Sequence, residues 1–474
     1  MVTQTLESTL TAIVGARRVL QRPSALVAYA SDGLPGYHQT PALAVFPGTR
    51  DELIAVVRAL AKAAVPFVPR GAGTGLSGGA LADGSVLIGL NRLTRILDLD
   101  VANRVAAVEP GVVNSSLQKA AALHGLHYAP DPSSQSACTI GGNVAENAGG
   151  PHCLKYGVTL NHTVECTVIL PDGEIVTLGS RHGEHTGYDL LGAFVGSEGC
   201  FGIALDCTVR LLPNAPRVQT LLADFLSLQD AARAASAVIA SGILPAALEM
   251  MDGAAVRIVE SSIYAAGYPT DCEAVLLVDL DGVTDGLEDD VSAVEALCRE
   301  HGAREVRIAA DAAQRAQLWQ GRKKAFGAMG RAASHLVLQD AVVPRTRLSA
   351  VLSEIAGIGA RHGVAVWNIF HAGDGNLHPS VSYDGTNVDE AHRVHLCMTE
   401  IMHACIREGG TITGEHGVGL DKIDYMPALF DADTLNAMCR LRAVFDPERR
   451  SNRGKVVPVH SCREWHQAPA GRAT

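Results

Sequence analysis

The chain has 474 residues, 47% of them hydrophobic, and sets 39 Lys and Arg against 50 Asp and Glu for a formal net charge of -11. A chain of this length holds two or three domains at about 100–200 residues each. The acidic balance excludes a nucleic-acid binder or a charge-held membrane-surface binder, whose footprint is clustered Lys and Arg, and leaves small molecules and protein partners as ligands.

Residues 1–20 contain no basic leader followed by an apolar core, and no later window approaches the roughly 18 apolar residues of a membrane span, so the expectation is a cytoplasmic protein with no direct membrane insertion. The 11 cysteines form no C-x-x-C pair, which excludes a zinc ribbon or an iron-sulfur cluster and leaves mostly buried free thiols. Glycine concentrates at 71–84, 141–157 and 409–419, a distribution that reads as site construction.

Past a polar N-terminal segment, Thr49 stands at capping-box spacing from Glu52, and Leu53, Ile54, Val57, Leu60, Ala61 and Ala64 recur with helical period. A helix of about four turns is predicted there. Residues 65–68 read as a strand running into Pro69, Arg70, Gly71, Ala72, Gly73, Thr74, Gly75, Leu76 and Ser77. Gly73, Gly75 and Gly78 match G-x-G-x-x-G, but a nicotinamide-binding turn requires a helix beginning at the glycines, and here residues 81–84 lead to another strand at 86–90. The Rossmann reading is rejected. What stands is a nest of backbone N–H groups suited to a pyrophosphate, against a merely flexible loop, and Arg70 with Thr74 favours the anion site.

A strand at 105–108 and a helix at 115–124 lead to Pro130, Asp131, Ser133 and Ser134, then to Gly141, Gly142, Asn143, Ala145, Asn147, Ala148, Gly149 and Gly150. So many small residues let main chain approach a large flat ligand, and Gly157 and Val158 extend that wall. A hairpin around 171–173 joins strands 163–170 and 174–178, and Glu198 with Gly199 closes a Gly-Ser-Glu-Gly turn before a strand at 201–212 that contains Ile203. Pro213 and Pro216 mark a boundary.

Beyond it, helices at 228–241, 291–301, 312–331, 348–362 and 392–407 alternate with strands at 274–280 and 305–309, which predicts an α+β domain and leaves parallel α/β packing open. On the helix at 312–331, Trp319, Arg322 and Phe326 share a face. Arg322 is suited to clamp a carboxylate, although a solvated helix face is the default for an arginine. The octapeptide His371-Ala-Gly-Asp-Gly-Asn-Leu-His378 carries the Asp-Gly hairpin signal. With Asp374 and Gly375 as the turn, Gly373 faces Asn376 and His371 faces His378, their Cβ atoms about 4.5–5.5 Å apart. Two imidazoles so placed suit one metal ion, the alternative being an ordinary hairpin with two surface histidines. Downstream, Glu415 beside His416 offers a third ligand, and the tail past residue 459 reads as disordered.

The two Gly-rich segments and the Gly-Ser-Glu-Gly turn resemble the FAD-binding module of the vanillyl-alcohol oxidase family. Residues 29–458 as a whole resemble the FAD-linked 2-hydroxy-acid dehydrogenases, a group with D-lactate dehydrogenases, D-2-hydroxyglutarate dehydrogenases and glycolate oxidase catalytic subunits. The likeness is greatest to the last, through residues 319–326, 329–331 and 339–345. It implies an α+β protein: a two-part FAD-binding module of the PCMH type over 38–215 and an α+β substrate domain with an antiparallel sheet over 216–458, flanked by segments 1–37 and 459–474.

By the same resemblance, residues 69–77 line the FAD pyrophosphate, 130–134 and 141–150 the flavin and ribityl chain, and Gly199 and Ile203 the nucleotide end. His371, His378 and Glu415 correspond to metal ligands, His416 to the catalytic base, Arg322 to the carboxylate clamp and Asn376 to a residue near the flavin. Two nitrogens and a carboxylate suit zinc and also admit iron or manganese. Asn452 corresponds to a flavin contact, but Arg453 stands where the family has proline. The first Gly-rich loop has no histidine, so FAD is expected to be held noncovalently.

The implied reaction is oxidation of a small 2-hydroxy monocarboxylate, glycolate or D-lactate, to the 2-oxo acid. Phe326 and Leu338 are apolar where hydroxyglutarate enzymes carry polar groups, and a second carboxylate there would lie without a partner. The resemblance also implies companion flavoprotein-like and iron-sulfur subunits that accept electrons and bring the chain to a membrane. A cytochrome-linked D-lactate dehydrogenase is the alternative enzyme, and a non-catalytic flavin-binding assembly subunit the alternative of another class.

Overall fold

The computed structural model describes residues 3–34, 36–181, 183, 186–331 and 333–458, so the tail at 459–474 lies outside the described residues. The chain forms two compact units that interleave in sequence. The first takes Met1–Gly149, Val158–Pro213 and Glu415–Thr474; the second takes Gly150–Gly157 and Asn214–Gly414.

In the first unit, the segment that reads as polar forms helix α1 (Gln4–Val14), capped by Thr3, with Leu6, Leu10 and Val14 buried. These apolar positions lie three to four residues apart and enter the core beneath the first sheet. That sheet contains β1 (Val19–Leu20), β2 (Leu43–Val45), β3 (Phe67–Arg70) and β4 (Val86–Gly89) in the order β1-β2-β4-β3, with β2 and β3 both parallel to β4. Helix α2 (Arg50–Lys62) starts as predicted, Thr49 Oγ1 accepting the Glu52 N–H. Between β3 and β4 no helix forms at the glycines, in agreement with the rejected nicotinamide fingerprint. A second, antiparallel sheet follows: β5 (Ile96–Asp100), β6 (Val105–Val108), β7 (Thr163–Ile169), β8 (Ile175–Gly179) and β9 (Ile203–Arg210), ordered β5-β6-β9-β7-β8. The stretch 141–150 contains a helix the sequence conceals, α3 (Ile140–Glu146), because Gly141 and Gly142 depress its propensity while the Thr139 side chain caps it by accepting the Gly142 N–H.

The second unit is built on one eight-stranded antiparallel sheet, which settles α+β against parallel α/β packing. Its strands are β10 (Arg217–Phe225), β11 (Ala247–Asp252), β12 (Ala274–Gly282), β13 (Ala303–Ile308), β14 (His335–Leu338), β15 (Ala341–Val342), β16 (Trp367–His371) and β17 (Asn376–Tyr383). The order is β13-β10-β12-β11-β16-β17-β14, with β15 also on β17. One face is covered by α4 (Leu228–Ala240), against which α7 (Leu348–His362) and then α8 (Val388–Arg407) pack. The other face takes α5 (Gly253–Glu260) and α6 (Ala312–Met329), which bury Leu318, Trp319 and Ala325 against Leu222, Leu277, Trp367 and Ile369.

The β16–β17 hairpin corrects the expected register. His371 pairs with Asn376 and Ile369 with His378, so residues 372–375 form a four-residue loop in place of a two-residue turn. The slip equals two positions, and an antiparallel strand repeats every two residues, so both imidazoles still point to one face. The loop is fixed by Arg345 Nη1, which donates to Gly373 O at 3.1 Å, and by Gly375 at φ 81°. A Cβ on Gly375 would lie 2.2 Å from the Val343 carbonyl oxygen. Gly375→Ala therefore meets backbone strain and a backbone clash together. It should lower the urea midpoint by at least 3 kcal/mol in equivalent stability, against about 1 kcal/mol for Gly363→Ala, which has the same sign of φ but open space. Equal midpoints for the two variants would contradict this account of the loop.

Candidate active site

The pairing register sets one sheet face. Thr220, Asp279, Glu249, His371, Asn376, His378 and Leu338 all point to it, as directly paired or alternate positions on neighbouring strands. This is the face that α6 crosses. Arg315, Trp319 and Arg322 recur at i, i+4 and i+7 on that helix and reach down to the sheet carboxylates. Arg315 Nη2 and Trp319 Nε1 donate to Asp279 at 2.7 and 2.9 Å, and Arg322 Nη2 lies 2.5 Å from Glu249 Oε2. Arg322 is only 7% exposed, so the solvated-face default does not hold for it. Phe326, one turn on, is 39% exposed.

His371 and His378 are both buried, with ring centroids 5.2 Å apart and planes at 85°, and one ring nitrogen of each lies within 4.8 Å of the other. That separation admits one ion between them. Each ring is oriented from behind by a carbonyl or carboxylate. His371 Nδ1 lies 2.7 Å from Glu249 Oε1, and His378 Nδ1 lies 3.3 Å from Gln339 O and 3.8 Å from Asp340 Oδ1. Burial alone would push Glu249 up, but Arg322 and then His371 outweigh it and hold the carboxyl below the ordinary carboxylate range. Asp340 also accepts from Thr413 Oγ1 at 2.6 Å and the Gly414 N–H at 2.9 Å, which fixes the two residues that precede Glu415 in the chain.

Glu415 and His416 begin the last segment of the first unit, their side chains largely buried and 3.7 Å apart. The backbone just beyond them is held by Glu198, whose two oxygens accept the Val418 and Gly419 N–H groups at 2.7 Å each. Burial raises Glu198, and burial together with the neighbouring Glu198 carboxylate raises Glu146 well above the ordinary range. Burial likewise pushes the Lys455 ammonium down to about 8. Lys455 is bonded to Gly79 O at 2.9 Å and Asn452 Oδ1 at 2.6 Å. Asn452 gives its amide nitrogen to Gly79 O and Glu198 O.

The two Gly-rich segments of the first unit adjoin: a Cβ on Gly71 would meet Thr139 Oγ1 at 2.4 Å, and one on Gly73, at φ 70°, would meet Arg70 Nη2 at 2.3 Å. A side chain at 71 would displace the Thr139 hydroxyl, and one at 73 would be strained by its positive φ and would move the Arg70 guanidinium. In the same unit, Arg70 Nη1, Ser77 Oγ and Ser197 Oγ are buried without hydrogen-bond partners among the described residues. Buried donors are almost always satisfied, so an acidic, oxygen-rich group such as a dinucleotide pyrophosphate fits this cradle. Residues 130–134, 141–149, Val158, Gly199 and Ile203 belong to the same unit, whereas Gly150 and Gly157 fall in the second.

Glu249, Asp340 and Glu198 carry much of this geometry, and sequence reasoning assigned no orienting role to any of them. A carboxylate inside the apolar run 246–251 was the available sign for Glu249, since an unpaired buried charge is expensive. Asp340 and Glu198 act through main-chain N–H groups far away in sequence, which leave no local pattern.

Two family descriptions match the chain, "FAD binding domain" over residues 41–179 and "FAD linked oxidases, C-terminal domain" over residues 215–456. Glycolate oxidase subunit GlcD of Escherichia coli strain K12 is 44% identical over 94% of this chain and 90% of that one. The subunit of the same name in Bacillus subtilis is 36% identical over 96% of this chain and 97% of that one. The solved structure of p-cresol methylhydroxylase with substrate bound superposes with a TM-score of 0.82 at 17% identity, covering 97% of this chain and 98% of that one, a likeness of fold of the vanillyl-alcohol oxidase type. The region matched as an FAD binding domain, residues 41–179, contains Arg70 and both Gly-rich segments. Loss of one charge-assisted hydrogen bond costs about 1.5–3 kcal/mol, so Arg70→Ala should bind FAD roughly tenfold to hundredfold more weakly, read from the flavin-to-protein absorbance ratio across an FAD titration. Wild-type affinity in that variant would remove Arg70 from the cradle.

Proposed function

The chain belongs to the FAD-linked oxidases, and on that premise we propose that it oxidises a small 2-hydroxy monocarboxylate, glycolate or D-lactate, to the 2-oxo acid. The oxidation of 2-hydroxy acids with FAD follows from the family; the size of the acid and the metal are the finer parts of the reading. The supporting observation is that two buried imidazoles and one buried guanidinium converge on a single carboxylate-lined sheet face. Residues 38–215 form the FAD-binding domain in this reading and 216–458 the substrate domain.

FAD, held noncovalently, supplies a two-electron acceptor, and a divalent metal, best zinc by its donor set, supplies a Lewis acid that makes the 2-hydroxyl more acidic. His371 and His378 would hold that metal with Glu415, the residue that follows the Asp340-anchored Gly414. Arg322 binds the substrate carboxylate with the planar geometry that a guanidinium offers and an ammonium does not. Trp319 and Phe326 wall the clamp. His416 takes the proton of the 2-hydroxyl as general base, and Asn376 orients the substrate from the same sheet face as the two histidines. Phe326 and Leu338 offer no partner to a second carboxylate, which selects a monocarboxylate over a dicarboxylate.

The relatives named subunits of glycolate oxidase support companion subunits as electron acceptors, and they fit a chain in which no described helix is long and apolar enough to cross a membrane. His416→Ala should retain FAD yet reduce it roughly 10²–10⁴-fold more slowly under glycolate or D-lactate in anaerobic stopped flow. Near-normal reduction would sink the base assignment. Arg322→Lys should raise the KM for the 2-hydroxy acid by roughly tenfold to hundredfold while FAD content stays at the wild-type level. An unchanged KM would remove Arg322 from substrate recognition.

A further inference from the structure

Glu249 touches both the candidate metal ligand His371, through Oε1, and the candidate substrate clamp Arg322, through an ion pair at Oε2. It is 1% exposed, on a central strand, directly paired in register with His371 and crossed by α6 from above. Resting on the function proposed above, we propose that Glu249 is a positioning residue that sets the ring of His371 for metal and the guanidinium of Arg322 for substrate with its two oxygens.

The argument begins with donors and acceptors. A carboxylate only accepts, so the proton on His371 sits at Nδ1, 2.7 Å from Oε1, and the lone pair is at Nε2. A metal-bound imidazole needs that tautomer, and outer carboxylates of this kind are what hold it. On the other side, Oε2 holds Arg322 by Nη2 at 2.5 Å, while Arg322 Nε is buried with no hydrogen-bond partner among the described residues. One part of the guanidinium is anchored and another donor stays unspent, as expected of a group waiting for an anion.

A second reading is a plain structural ion triad, and the two differ in what a substitution changes. Removing one member of a buried ion triad leaves a buried charge uncompensated, so a structural role alone predicts a lower melting temperature and no change in metal affinity. A positioning role predicts looser metal. Glu249→Gln keeps the shape and removes the charge, so its side chain accepts through one oxygen only and cannot serve both partners as acceptor. Glu249→Asp keeps the charge, so the fold need not tolerate an unpaired Arg322, but its shorter reach cannot span His371 and Arg322 together.

The test uses the FAD-loaded full chain and Zn(II) as the probe, in competition with a chelator of known affinity, the bound metal read by elemental analysis. Both variants should bind Zn(II) 10- to 100-fold more weakly than wild type, at unchanged FAD content, and should show a raised KM for glycolate when the metal is saturating. Wild-type Zn(II) affinity in the variants, with wild type itself binding one ion, would overturn the role of Glu249 and leave the metal reading standing. A wild-type chain that binds no Zn(II), iron(II) or manganese(II) would overturn the metal reading and this inference with it.

Discussion

The second unit depends on the alternation of side chains across its antiparallel sheet, because that alternation decides which carboxylates are buried under α6. Asp279 and Glu249 point to the same face from neighbouring strands and would be prohibitively expensive there alone. Arg315, Trp319 and Arg322 descend from one stripe of α6 and meet them. The helix is thus registered on the sheet by charge as well as by the apolar contacts of Leu318 and Ala325. One further strand along, the same alternation delivers His371 to Glu249, and the hairpin delivers Asn376 and His378. The face that carries His371 and His378 is a consequence of strand pairing, so a slip of one residue would turn both histidines away, whereas a slip of two preserves them.

The first unit solves a different problem, that of holding polar main chain close to a large anion. Glycines stand where a Cβ would collide with Thr139 or Arg70, and Arg70, Ser77 and Ser197 present donors that the protein itself does not satisfy. Behind them lies a set of buried charges. Glu198 gathers the Val418 and Gly419 N–H groups, Lys455 bonds carbonyls of the first Gly-rich loop, and Asn452 links the two. The last segment of the chain is thereby tied to the unit that binds the cofactor, and Glu415 and His416 are its first residues. With its amide spent on Gly79, Glu198 and Lys455, Asn452 braces this region irrespective of Arg453 beside it.

Local chemistry was legible where one residue type has one strong reason to be present. Thr49 announced α2, residues 348–362 and 228–241 showed helical period, and the loop at 71–79 was correctly denied a helix because an apolar strand follows it so soon. The candidate ligands His371 and His378 were legible from an Asp-Gly turn signal even though the turn is four residues long, since parity and not register decides the face. Features that rest on partners distant in sequence were not legible. Glycines hid α3, whose stability comes from its Thr139 cap and its packing. The burial of Arg322 depends on Glu249, some 70 residues earlier, and no periodicity within α6 distinguishes it from a solvated arginine. Nor does any local signal disclose that Asp340 fixes residues 413–414.

The proposed reaction passes electrons from a small 2-hydroxy acid to FAD with the help of a divalent metal. Its most direct test is anaerobic bleaching of the flavin absorbance by glycolate, D-lactate, L-lactate and D-2-hydroxyglutarate, before and after removal of metal with a chelator. The account predicts fast bleaching by glycolate or D-lactate that disappears with the metal and returns when Zn(II) is restored. Bleaching by D-2-hydroxyglutarate alone, or bleaching that survives complete metal removal, would contradict it.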